Sequence, residues 1–123
     1  MGTFFHSIRL IAPSGAAETL EALVDTGAMF TTIPTPILER LGVRPFDTLP
    51  VRFANGQTEQ WAIGQVEAEL DGRRRPILCL FGSPDAPPII GAHTLEAFLL
   101  AVDPVEEKLV PKEAYLMGIS LRD

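Results

Sequence analysis

The sequence is poor in the residues that build disulfide-stapled or metal-held folds. It has one cysteine, Cys79, in 123 residues. A single thiol closes no internal disulfide, and no Cys/His set has metal-ligand spacing. The two histidines, His6 and His93, have no cysteine or histidine neighbours. The reading is therefore no metal site. Positive charge is scarce as well: 10 Lys and Arg stand against 16 Asp and Glu, for a net charge of -6 and a pI near 4.8. A chain of that sign repels phosphate backbones, so nucleic acid is not an expected partner. No stretch approaches the ~20 apolar residues of a membrane span, so no membrane partner is expected. The first residues, Met1-Gly2-Thr3-Phe4-Phe5-His6, lack the basic region and long apolar run of a signal peptide. The expected location is cytoplasmic. Repeats, low-complexity segments and linkers are missing too, and the length suits one domain over residues 1–123.

What is present points to a β-rich globule. Hydrophobic residues make up 46% of the chain, enough for a packed core rather than disorder. Alternation over Phe5–Ile11 and a run through Thr19–Val24 read as strands, separated by the Pro13-Ser14-Gly15 turn. Thr31-Thr32-Ile33 is short and β-prone. A helix is expected next, with Thr35 as cap, Pro36 at the first position, Ile37, Leu38 and Leu41 as the apolar stripe, and Gly42 as the stop. Asn55-Gly56 and Asp71-Gly72 read as two tight hairpin turns in which both residues tolerate positive φ. Val66, Ala68 and Leu70 alternate with Gln65, Glu67 and Glu69. Ile77–Phe81 is a continuous apolar run, as in a strand covered on both faces. Arg73-Arg74-Arg75 reads as a solvated hairpin end, and Trp61 as a packing residue under the first hairpin. Ile89-Ile90-Gly91 reads as a short buried strand, followed by helical character over 92–100 with Thr94 as cap. Leu99–Val102 and Lys108–Val110 form a last hairpin. The tail after it, 111–123, has no readable placement. The fold class is all-β with one or two short helices.

The chemistry concentrates in Leu23-Val24-Asp25-Thr26-Gly27-Ala28. Leu23 and Val24 anchor a strand in the core, and Asp25 emerges at its end. Gly27 lets backbone pass close to the carboxylate, where a Cβ would collide. If two such loops face each other, the Thr26 hydroxyl can hold the opposite loop. Two carboxylates in contact cannot both ionise cheaply, so they share one proton. One then serves as base for a water and the other as acid for a carbonyl. Taken alone, Asp-Thr-Gly is also ordinary turn chemistry, with the aspartate capping backbone amides.

These residues resemble the retropepsin-like aspartic proteases, a group of retroviral proteases and small cellular and bacterial relatives. Asp25-Thr26-Gly27-Ala28 matches that family's catalytic signature. Ile89-Ile90-Gly91 matches its second signature, two apolar residues and a glycine before a helix, which supports the site. Ala54-Asn55-Gly56-Gln57 lies between them, where the family carries its glycine-bearing flap. The match in order and separation spans roughly residues 5–110. The resemblance implies a small closed barrel-like fold and an aspartic endopeptidase with one lobe per chain, working as a homodimer on an extended peptide or protein substrate, with no metal or organic cofactor. Asp25, Thr26 and Gly27 would be catalytic, and Ala28, Ala54, Asn55 and Gly56 would meet substrate. Hydrophobic pockets are implied near Ile33, Phe53 and Ile89–Ile90. Two departures stand out. Met29-Phe30 occupies the place of acidic residues that contact substrate and brace the dimer in retroviral enzymes. Ala92 stands for an arginine of the same network. A dimeric peptide-binding or scaffold module with little proteolysis is the alternative these departures leave open.

Overall fold

Strand alternation sets the first half of the molecule. In β1 (Phe4–Ile11), Ile8 and Leu10 are buried while Ser7 and Arg9 face out. It pairs antiparallel with β2 (Ala17–Val24), Phe4 opposite Val24 and Ile11 opposite Ala17. The structure, a computed structural model, describes residues 3–113. Most of the tail that the sequence leaves unplaced, 114–123, lies outside the described residues. After the loop at Asp25, β3 (Thr31–Pro34) runs into α1 (Thr35–Arg40). β4 (Pro45–Arg52) and β5 (Thr58–Leu70) form the first long hairpin, and β5 and β6 (Arg73–Gly82) the second. β7 (Ile89–Ile90) leads into α2 (Ala92–Ala97), and β8 (Leu100–Asp103) with β9 (Lys108–Pro111) forms a separate two-stranded sheet.

The seven-stranded sheet has the order β1-β2-β7-β3-β6-β5-β4, and β1 also pairs with β5. That extra pairing closes the sheet on itself, with β4 left hanging from β5. β7 is the topological key. It pairs parallel with β2, through Leu23–Ile89 and Val24–Ile90, and antiparallel with β3 at Thr32–Ile89. The late strand is thus threaded between the two strands that flank Asp25. The all-β expectation with two short helices holds. The closed core contains Ile8, Leu10, Val24, Ile33, Leu38, Val66, Ala68, Leu70, Cys79, Ile90 and Phe98.

Several local expectations need correction. Thr35 does not cap α1; Pro34 is the N-cap, and the Thr35 hydroxyl donates to the Gly82 carbonyl at 2.8 Å. Thr94 does not cap α2 either; it lies inside the helix, fully buried, and Gly91 is the N-cap. The two hairpin turns differ. Asp71 and Gly72 both have positive φ, 52° and 78°, as a two-residue turn requires. At the other tip only Gly56 does, at 89°. There the Gly56 amide donates to Phe53 O and the Phe53 amide to Gln57 O, so Ala54-Asn55-Gly56 is a three-residue loop with glycine at its left-handed position. The alternating stretch around Val66 is the second half of one long strand, β5, continuous through Gly64. A Cβ on Gly64 would lie 3.0 Å from both Arg44 O and a Phe81 ring carbon. Arg73 and Arg74 are exposed as expected, but Arg75 is half-buried. Its guanidinium sits 5.8 Å over the Phe98 ring and donates to Ala97 O at 3.4 Å.

Candidate active site

Asp25 stands immediately past the end of β2, half-buried. Its amide donates to the Ile90 carbonyl at 3.0 Å, so the residue after the strand is still tied to β7. Its carboxylate Oδ1 accepts the Gly27 amide at 2.9 Å. A Cβ on Gly27 would lie 3.2 Å from that same oxygen, closer than all but a small fraction of real Cβ contacts. Glycine thus permits the close approach of backbone to carboxylate. The Ala28 amide donates back to Asp25 O at 3.1 Å and closes the turn. Among the described residues Asp25 forms no ion pair.

The second signature segment clamps this loop. α2 has no side-chain N-cap, so its first amides need acceptors from elsewhere. The Ala92 and His93 amides donate to the Ala28 and Met29 carbonyls, each at 2.8 Å. The Gly91 amide donates to Thr31 Oγ1 at 3.1 Å. Gly91 itself has no room for a side chain: a Cβ would lie 2.5 Å from the carbonyl carbon and oxygen of Phe30 and 2.9 Å from Ala28 O. Ile89, Ile90 and Gly91 therefore support the loop through register, a backbone acceptor and close packing respectively.

The outer face beside Asp25 is apolar. Phe5 pairs with Leu23, Leu23 with Ile89, and Ile89 with Thr32, so the four form one row across β1, β2, β7 and β3. Their sequence neighbours Val24, Ile33 and Ile90 point inward and are buried. Leu23, Ile89 and Thr32 are half-buried, and Phe5 is 60% exposed. Leu23 is thus not a core anchor, and Ile33, fully buried, cannot wall a cleft. Sequence reasoning missed Leu23 and Thr32; the signal was their parity relative to Ile89, readable only once register is known. Thr26 is exposed and lines a hollow of about 240 Å3 with Ala92, Leu95, Leu100 and Ala101.

Ala54, Asn55 and Gly56 sit at the exposed tip of the β4–β5 hairpin. Their hydrogen bonds among the described residues stay within the hairpin. Asn55 Oδ1 accepts the Gln57 amide at 2.9 Å, and Arg52 donates to Gly56 O at 3.1 Å. Phe53 packs against Trp61 with ring centroids 5.9 Å apart.

The sequence profile of aspartyl proteases matches residues 14–93, a span that takes in both the Asp25 loop and its clamp. The chain belongs to the aspartyl protease family. Among solved structures, this aspartyl protease is similar to the protease of simian foamy virus (mac), with 20% identity and a TM-score of 0.56, over 77% of this chain and 94% of that one. The EIAV protease, solved with the inhibitor HBY-793, matches with 18% identity and a TM-score of 0.62, over 79% of this chain and 88% of that one. The foamy viral protease-reverse transcriptase, solved with an RNA/DNA hybrid, matches with 18% identity and a TM-score of 0.56 over 91% of this chain and 13% of that one. No curated protein matches. The fold is that of the retroviral proteases, and the function is of the protease type.

Proposed function

We propose that this aspartyl protease is an endopeptidase whose active site forms when two copies bring their Asp25 carboxylates together, one lobe per chain. The observation that carries this reading is the Asp25 loop: a carboxylate fixed by the Gly27 amide at 2.9 Å, beside an apolar row on the outer sheet face. One Asp25 carboxylate takes a proton from water as its oxygen attacks the scissile carbonyl carbon. The other, protonated, gives its proton to the carbonyl oxygen. The carboxylate that took the water proton then gives it to the amide nitrogen, the other takes a proton from a hydroxyl of the resulting diol, and the carbon–nitrogen bond breaks to leave an amine and a carboxylic acid. Thr26 and Gly27 hold the two loops to each other. An extended substrate lies between Ala28 and the hairpin tip, Ala54, Asn55 and Gly56. Ile89, Ile90 and Gly91 keep the loop in place. No metal or organic cofactor is required.

Met29 favours a second reading. It is 69% exposed at the end of the loop, an apolar surface suited to holding a peptide without cutting it. The first prediction separates the two. Wild type and Asp25→Asn are incubated with a diverse peptide pool and the products read by mass spectrometry. Cleavage is expected from wild type and none from a folded Asp25→Asn protein. Equal cleavage by both would remove Asp25 from the chemistry. Peptide retention without cleavage by either would favour the binding module.

A further inference from the structure

Thr31 and Thr94 are the two fully buried polar side chains among the described residues. Their hydroxyls lie 2.6 Å apart, joining β3 to α2 across the core. A core position that needs only volume is filled as well by valine, without the cost of desolvating an oxygen. The pair sits directly behind the junction of β7 and α2. Thr31 Oγ1 accepts the Gly91 amide, so β3 supplies the cap that α2 lacks in its own sequence. Thr94, in the first turn of the helix, holds Thr31 from the other side. The segment from Asp25 to Thr31 is therefore tied down at both ends. Asp25 donates to Ile90 O at 3.0 Å, and Thr31 meets Gly91 and Thr94. Between them the Ala28 and Met29 carbonyls accept the Ala92 and His93 amides.

We propose that the Thr31–Thr94 hydroxyl pair is a positioning device for Asp25, setting the distance between its loop and α2 and so the placement of the carboxylate. Both are positioning residues that act through Gly91 and the loop backbone. The proposal rests on the reading of Asp25 as catalytic.

The test compares Thr94→Val, Thr94→Ser and Thr94→Ala in the full chain, reading kcat and KM separately beside urea unfolding. Thr94→Val keeps the shape and loses the hydroxyl. It is expected to lower kcat about tenfold or more, because rate falls steeply with misplacement, while KM stays within about twofold. Thr94→Ser keeps the hydroxyl and loses the methyl. It is expected to hold kcat within about threefold of wild type although it is less stable. Variants that lose stability but turn over normally when folded would overturn the proposal. If Thr94→Val does not fold, serine against alanine, which differ by the one oxygen, decides in the same way. A second readout stands apart from turnover. In the hydroxyl-less variants the Asp25 and Gly27 amides should shift and exchange hydrogen faster than in wild type and Thr94→Ser. Unchanged amides would sink the positioning role. If wild type cleaves nothing, the catalytic reading fails by itself, while the amide measurement still decides whether the hydroxyls place the loop.

Discussion

At the scale of single residues, the site depends on two closely packed glycines, one tight and one with no room for a side chain. Gly27 admits its own amide to the Asp25 carboxylate. Gly91 lets β7 press against Phe30, where a Cβ would meet carbonyl atoms at 2.5 Å. Backbone atoms cannot rotate away, so filling that space forces the strand and loop apart, at ~1–3 kcal/mol or more. Cys79 makes the opposite case, a reactive group silenced by its surroundings. It is fully buried, and burial pushes its thiol up from 9.0 to about 12. The folded state therefore keeps the thiol proton where the unfolded chain releases it. Stability from this residue is complete below the unfolded value near 9 and is lost as pH rises toward 12. Urea unfolding from pH 8 to 11 should show that decline in wild type and a smaller one in Cys79→Ala, after each is referred to its own pH 8 value. Thiol-alkylating reagents at pH 8 should label native protein only as fast as it opens; rapid labelling of native protein would show that the thiol is reachable.

At the scale of elements, most of the strands were legible because alternation survives in a half-buried sheet. Val66, Ala68 and Leu70 against Gln65, Glu67 and Glu69 are one such pattern, and all three apolar members are buried. The helix caps were not legible. Thr35 and Thr94 both look like caps in sequence, yet tertiary partners claim their hydroxyls: Gly82 O for the first and Thr31 for the second. Nor could sequence show that Leu23 faces outward beside Ile89, since that follows from a parallel pairing between segments more than sixty residues apart. The Asp25 loop was readable because its residues are adjacent in the chain, whereas its clamp required long-range register. The hairpin tip falls between these cases. Its location was readable, but its loop length was not, since Asn55 does not adopt positive φ. Gly56 does, at 89°, with nothing within 4 Å of a built Cβ. In Gly56→Val the strain of a β-branched residue in the left-handed region, of order 1–3 kcal/mol, falls on an exposed tip rather than the core. Turnover should therefore drop far more than unfolding stability. Full turnover in that variant, with relaxation measurements showing a hairpin as rigid as the barrel, would rule out a closing role for the tip.

At the scale of the whole molecule, the barrel closes through β1–β5 pairing, so most strand edges are already used. On the Asp25 side, Thr26 and Gly27 are both exposed, and a hollow at Thr26 runs to α2 and β8. The chain holds a single Asp-Thr-Gly; Asp47-Thr48 is followed by leucine, and no other aspartate repeats the pattern. In the proposed chemistry, which divides acid and base between two carboxylates, the second one comes from another copy of this chain. A twofold axis meets that need, because it brings the same residue twice to one point. In that proposed dimer the interface includes Thr26 and Gly27, since the two carboxylates have to touch. Specific activity should fall faster than linearly as the protein is diluted through its dimer dissociation constant. Excess Asp25→Asn chains should poison wild type by drawing it into heterodimers with one carboxylate, leaving residual activity in proportion to the remaining wild-type homodimer. A monomer by analytical ultracentrifugation that hydrolyses peptides at constant specific activity across dilution, unaffected by Asp25→Asn chains, could not be working through a pair of Asp25 carboxylates.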